Sequence, residues 1–446
     1  MKKFLLSSIL TLSVSNAYAV TLEEALTNGY HNDEEHETIR NNFLDAVESY
    51  PRALAGFMPK IYASTNLKND RTRERGEGQQ TGVDTDYSRA ITLNQSIFNG
   101  GSSIAALKSA KSSFIAESSV FYAQEQAAIL KEIEIYLNCV EARDKYEISK
   151  ISVRLNKTLL EATKEKFKLG ESTATEVNTA MEGLASAEAR QSDDYAKYEE
   201  SKADFYRVFG LDAVELAMPT IPSGLPESLE ELTKICLESN PSIISARHNM
   251  ASSKAYENVA KGNLLPQVDF QVQGGLLDRK HRPSRKQKIQ SVTTTLSLTV
   301  PILAKGGIEY SDIRKAKYQT KKLAIGLDST IKKLEAQSKS SWAEFEALQL
   351  SYVAATQAVK AAEMAYDGGQ HEERLGSKTI IDVQQLEEKL HKAKQTKIDS
   401  KKRIILAAYN MKSLIGQLTA QSLQLKVDNF EPTEEFKKVK TKIIGF

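Results

Sequence analysis

Two cysteines, Cys139 and Cys236, are all the chain has, too few for a disulfide framework or a cysteine-based metal site. Proline and glycine, the residues that interrupt helices, are both missing between Ser102 and Leu169. Past a short apolar run at the start, no stretch approaches the roughly 20 apolar residues of a membrane helix. An excess of one charge is lacking too. Sixty basic residues stand against 58 acidic ones, and without Lys2 and Lys3 the rest is formally neutral, which argues against a dedicated nucleic-acid partner. Catalytic signatures are absent as well. The six histidines are scattered, and His371-Glu372-Glu373 lacks the second histidine of a zinc-protease motif. Neither a phosphate-cradling G-x-x-x-x-G-K nor a G-x-S-x-G elbow occurs. Cys139 and Cys236 read as small apolar packers. The expectation is a protein that is not an enzyme and that carries no metal or cofactor.

What is present begins with an address. Met1-Lys2-Lys3, an apolar run from Phe4 to about Val14, and Ala17-Tyr18-Ala19 have the order of a secretory signal peptide, expected over residues 1–19. No cysteine stands near the cleavage site, so a lipid anchor at the mature N-terminus is not expected.

The rest is a tandem duplication. Leu22-Glu23-Glu24 recurs as Leu229-Glu230-Glu231, and Met58-Pro59 as Leu265-Pro266, both at an offset of 207. Gly100-Gly101 recurs as Gly306-Gly307, Leu169-Gly170 as Leu375-Gly376 and Phe209-Gly210 as Ile415-Gly416, all at 206. One single-residue gap therefore aligns two halves, which composition alone would not produce. The expected organisation is a first repeat over 20–210, a connecting segment over 211–228, a second repeat over 229–416 and a C-terminal segment over 417–446.

Each half reads as helix, strand pair, long helix, turn, long helix. Residues 22 to about 56 should be helical, with a break near Tyr50-Pro51. Residues 59–70 and 87–98 alternate in polarity and predict strands, separated by a polar loop from about Asn69 to Asp86. The second half repeats the alternation with Val268, Phe270 and Val272, then Val292, Leu296, Leu298 and Val300. Such alternation fits membrane strands with one face to lipid and one to water, or soluble hairpins with one buried face. Membrane strands carry a further consequence. Open sheet edges are not tolerated in lipid, and the smallest membrane barrels need about eight strands. Four strands per chain would then require a barrel shared between chains.

From Ser102 the helical pattern runs to about Leu169, roughly 100 Å at 1.5 Å per residue. Ile129, Ile133, Leu137 and Val140 recur at spacings of three and four, a seam for neighbouring helices. The equivalent run starts at Ile308 and puts Trp342 at the position of Tyr136. At the two turns, Gly170 and Gly376 are placed as left-handed C-terminal caps. Thr173 with Glu176, and Thr379 with Asp382, have the spacing of capping boxes. Arg279, Lys280, His281, Arg282, Arg285, Lys286 and Lys288 make the expected loop between the last two strands strongly basic. Such a loop could face anionic headgroups or surface polysaccharide, or simply keep a hairpin tip solvated.

Taken in order, these elements resemble the TolC family across nearly the whole mature chain. The residues that carry the resemblance are Met58-Pro59 and Leu265-Pro266 at the strand entries, Gln95 to Gly101, Val300-Pro301-Ile302-Leu303 before Gly306-Gly307, Leu169 to Thr173, and Leu375 to Val383. The resemblance implies a mainly α fold with membrane β structure. In it, a trimeric twelve-stranded outer-membrane β-barrel (four strands per chain) continues into a long α-helical barrel across the periplasm. Segments 211–228 and 417–446 would form a belt. It implies a passive exit duct for drug or small-molecule efflux or type I protein secretion. The partners would be two further copies of the chain, a periplasmic adaptor (membrane fusion) protein, an inner-membrane pump and outer-membrane lipid. By residue match the turns would be the periplasmic gate. Asp382 would belong to an acidic ring, Glu176 to its partner position, and Lys378 to a polar latch, beside Thr173 and Thr379. Gln385 departs from the pattern where relatives often carry a second acid, and Gly368-Gly369 looks like a small insertion. The competing reading is a periplasmic coiled-coil adaptor or structural trimer without a pore, which would not need four duplicated strands. A secreted hydrolase would lack its motifs.

Overall fold

The computed structural model describes residues 19–73, 81–282, 285–440 and 442. The expected signal peptide, apart from Ala19, lies outside the described residues. Helices α1 (Leu22–Asn32), α2 (Glu34–Val47) and α3 (Ser49–Leu54) and a 3₁₀ turn over Ala55–Phe57 lead into strands β1 (Lys60–Arg73) and β2 (Thr81–Asn99). Helices α4 (Ser102–Lys168) and α5 (Ala174–Phe209) complete the first repeat. The second runs through α6 (Leu229–Ser239), α7 (Pro241–Gly262), β3 (Gln267–Arg282), β4 (Arg285–Thr299), α8 (Ile308–Arg374) and α9 (Ile380–Leu414), before α10 (Pro432–Lys440). Among the described residues no helix is long and apolar enough to cross a membrane.

The first helical segment breaks earlier than expected. Asp33 closes α1 by donating its N–H to the Gly29 carbonyl, while its carboxylate accepts from the Glu35 N–H at 3.0 Å. One residue thus ends a helix and caps the next. Pro51 instead sits in the first turn of α3, where its missing N–H costs nothing.

The strands form one antiparallel sheet in the order β1-β2-β3-β4, so the two repeats join edge to edge through β2 and β3. Their ends run further than the sequence suggests. Much of the stretch expected as a loop from Asn69 to Asp86 is paired strand. Arg279, Lys280 and Arg282 lie on β3, and Arg285, Lys286 and Lys288 on β4, rather than in a loop. The physical reason is cross-strand charge pairing. Asp86 sits opposite both Lys68 and Arg279, and Arg279 makes a two-point contact to it at 3.0 and 3.2 Å, so charged residues sustain a ladder that polarity alone reads as coil.

The register sorts the side chains. Ile61, Leu67, Ile91, Leu93, Val272, Leu276, Val292 and Leu296 share one face. Tyr62, Ser64, Asn66, Ser88, Thr92, Gln271, Gln273, Thr293 and Thr295 share the other. Among the described residues nothing covers the apolar face: Val292 is 75 % exposed and Leu296 68 %.

Contacts divide the chain into two compact units, each drawing on both repeats. Of the described residues, the first comprises 19–38, 124–238 and 334–429. Its core centres on Ile129, Ile133, Tyr136, Leu137 and Val140 of α4, packed with Phe205 and Phe209 of α5 and Ile405, Ala408 and Met411 of α9. Ala213, Leu216, Leu418 and Leu425, from the two segments expected as a belt, join this core. The Tyr136 hydroxyl lies 2.8 Å from the Val20 carbonyl and 2.6 Å from that of Ala217, donating to one at a time. Burial pushes its pKa up to about 12. The second unit comprises the described residues within 39–123, 239–333 and 430–442 and holds the sheet. There Phe436 of α10 stacks on Phe114 at 3.9 Å, and Phe430 packs against Phe43 and Phe121.

Candidate functional site: the helix-hairpin turns

Both long hairpins turn within the first unit, and both turns are built alike from local sequence. At the end of α4, Gly170 has φ +81° and donates to the Phe167 carbonyl, while Glu171 donates to that of Lys166. At the end of α8, Gly376 has φ +76° and donates to Glu373, while Ser377 donates to Glu372. These are paired Schellman closures, and only glycine takes such a φ without strain. Gly100, Gly101, Gly306 and Gly307, between strand and helix, also have positive φ.

The next helices start with complete capping boxes. The Thr173 hydroxyl accepts from the Glu176 N–H, and a Glu176 carboxylate oxygen accepts from the Thr173 N–H at 2.8 Å and from the Ser172 hydroxyl at 2.7 Å. Thr379 and Asp382 repeat this, with the Asp382 carboxylate 2.9 Å from the Thr379 N–H and 2.7 Å from its hydroxyl. Donors stabilise the ionised forms. The Ser172 hydroxyl, then the Thr173 N–H, hold Glu176 below the usual carboxylate range. The Thr379 N–H, then its hydroxyl, do the same for Asp382. The two acids are therefore charged and fixed at the very ends of their hairpins.

Lys378 lies beside Asp382, but its ion pair is to Glu372 at 3.0 Å, within its own hairpin. Among the links between the hairpins, the ion pair nearest the turns is one that the sequence reading missed: Lys166 of α4 meets Glu373 of α8 at 2.5 Å. Both occupy the last helical turn before the turn glycine, so opposite charges at near-equivalent repeat positions were the available signal. Gly368-Gly369 is no break. Both lie inside α8, and a Cβ at Gly369 would come within 2.3 Å of the Leu386 side chain, so the residue admits α9 closely.

Behind the turns the hairpins pack through two small apolar clusters. Leu160, Ala180 and Ile380 form one, and Tyr366, Val383 and Leu390 the other. Polar groups interrupt this packing. The Ser152 hydroxyl donates to Glu387 at 2.6 Å, while the second Glu387 oxygen and both ring nitrogens of buried His391 have no hydrogen-bond partner among the described residues. Asp194 is also buried, and Arg190 is 3.9 Å from Glu388. Burial lowers the His391 pKa, outweighing the opposing pull of Glu387. Each orphaned group costs stability, so this is a weakly held stretch of the bundle directly behind the turns. Among the described residues no cluster of His, Cys, Asp and Glu is arranged to hold a metal.

Comparison with known proteins fits this architecture. The family model described as "Outer membrane efflux protein" matches residues 45–211 and 232–417, one segment in each repeat. The chain is 23 % identical to the outer membrane efflux protein BepC of Brucella suis, over 96 % of its own length and 92 % of that protein. It is 23 % identical to the outer membrane protein TolC of Escherichia coli, over 95 % and 88 %. The solved structure of the Campylobacter jejuni CmeC outer membrane channel superposes with a TM-score of 0.78 at 15 % identity, covering 95 % of this chain and 90 % of that one. Matched in both of its repeats and sharing a channel fold, the chain belongs to the outer membrane efflux protein family.

Proposed function

We propose that three copies of the chain form a passive exit duct for efflux or secretion, opened and closed at the helix-hairpin turns, with no chemistry of its own. The observation that carries this reading is the sheet. It has four strands, an uncovered apolar face, a polar face, and two open edges at β1 and β4. Such edges must be paired in lipid, and three sheets of four strands supply a closed barrel of a size membranes hold. The long helix α8 supports the same assembly, because Ile325, Leu350 and Met364 are exposed apolar side chains along it that a neighbouring copy would cover.

Glu176 and Asp382 form the acidic mouth, where three copies concentrate negative potential and favour cations. Lys166 and Glu373 act as the latch between hairpins, and Lys378 holds Glu372 beside them. The weakly packed layer around Glu387 and His391 lets the hairpins part. A periplasmic adaptor docks at the turns, and an inner-membrane pump supplies the energy. The basic strand ends lie outside the cell.

The test is the mass of the protein extracted from outer membranes in mild detergent, corrected for bound detergent. Three chains are expected. A stable, well-folded monomer or dimer would leave the strands unable to close, would overturn the duct, and would return the periplasmic adaptor reading.

A further inference from the structure

The two faces of the sheet treat charge differently at their outer end. On the polar face the charges are matched: Lys68 pairs with Asp70 at 2.5 Å, and Arg279 grips Asp86. On the apolar face the cations are in excess. Lys280 and Lys286 are directly opposite each other across β3 and β4, and Lys288 follows two residues along β4, opposite the one acid, Asp278. All three are exposed, and among the described residues none has a carboxylate within ion-pair distance. Like charges face to face in a ladder are destabilising, unless an anion lies over them.

Their height on the sheet says which anion. The apolar run of β3 from Val268 to Leu276 has nine residues, and a membrane strand needs about 9–11. Leu298, Leu296 and Val292 mark the same band on β4. The next residues outward on this face are Asp278, Lys280, Lys286 and Lys288, with Tyr87 opposite Asp278. A tyrosine followed by cations is what the boundary between hydrocarbon and headgroups selects. Opposed Cβ atoms are about 5 Å apart and diagonal ones about 7–8 Å, so three flexible ammonium groups can close on one phosphorylated headgroup.

We propose that Lys280, Lys286 and Lys288 form a binding site for the phosphates of outer-leaflet lipid, fixing the height of the barrel in the membrane. This rests on the duct reading, since it needs the apolar face to look at lipid. The occupant is the lipid headgroup, because the site continues a hydrocarbon-facing surface that acyl chains would cover.

The experiment reconstitutes the full protein in phosphatidylcholine vesicles doped with bisphosphorylated lipid A, and measures lipid retained through detergent extraction. Wild type should enrich lipid A over phosphatidylcholine, and the triple variant K280Q/K286Q/K288Q should lose about fivefold per lysine, on the order of a hundredfold in all. Arg279→Gln, on the opposite face, should keep the enrichment. Conductance and trimer mass are read on the same samples. If the triple variant conducts as a trimer and still enriches lipid A like wild type, the site is overturned. Displacement of the lipid by inorganic phosphate at matched concentration would also overturn it, by showing a free-anion site. Failure of wild type to insert as a conducting trimer would instead overturn the duct reading beneath it.

Discussion

Helices α4 and α8 are two copies of one element, each of 67 residues, and they live in opposite surroundings. In α4, Ile129, Ile133, Leu137 and Val140 are all fully buried within the chain. In α8 the apolar residues are divided: Phe345, Leu348 and Val359 face inward, while Leu350 is 73 % exposed and Met364 70 %. Tyr136 is wedged against two backbone carbonyls, and Trp342, its repeat equivalent, is only partly buried. Duplication gave both helices one inward face, with Cys139 and Leu160 of α4 matched by Phe345 and Tyr366 of α8, all buried. The second α4 seam is not copied: Glu335, Lys339, Ala343 and Glu346 stand where Ile129, Ile133, Leu137 and Val140 do, and the exposed Leu350 and Met364 replace Asp144 and Thr158.

The comparison can be broken most sharply at its centre. Leu137→Ala should cost the protomer about 2–5 kcal/mol in denaturant unfolding, through lost burial and a cavity. Leu350→Ser, on α8, should change protomer stability by no more than about 0.5 kcal/mol yet lower the trimer fraction seen by analytical ultracentrifugation. Equal protomer destabilisation by the two would mean that the helices are not divided in this way. Tyr136→Phe removes the donor shared by the Val20 and Ala217 carbonyls and should cost about 1–3 kcal/mol, with Trp342→Phe costing less in the same unfolding assay.

The turns sharpen the contrast from the other side, since there the copies are alike. Thr173→Ala and Thr379→Ala should each cost about 1 kcal/mol of cap energy, read as faster amide exchange in the first turn of α5 or α9. Lys166→Glu should raise the open fraction in single-channel recordings, and the exchanged pair Lys166→Glu with Glu373→Lys should restore it. A smaller effect concerns pH. Burial holds the His391 pKa in the fold below the ordinary histidine value of 6.5, so as pH falls the unfolded chain takes up a proton before the folded one does. Stability contributed by the neutral ring is therefore lost as pH falls below about 6.5. The thermal midpoint should drop between about pH 7.5 and about pH 5.5, and His391→Phe should reduce the drop.

Much of the fold was legible because it is local. The long helices followed from missing proline and glycine, the turns from Gly170, Gly376 and the two threonine-acid boxes, and the strands from alternation. The strand ends were not legible. Lys68, Asp70, Asp86 and Arg279 look like solvated loop until the register shows them paired across the sheet. Lys166–Glu373 left only a hint, opposite charges in the last helical turn of each copy, since nothing in either hairpin alone says which charge of the other it will meet.

The sequence by itself determined the duplicated order of elements, the capped turns and the two-faced strands, because each depends on residues within a turn or two of one another. Only the tertiary structure decided that β2 pairs with β3, that Asp86 meets Arg279, and that Lys166 reaches Glu373. Those choices depend on contacts between distant parts of the chain. A strand edge or a charged side chain can be satisfied by any partner of the right kind, so the local pattern alone cannot say which partner each one takes.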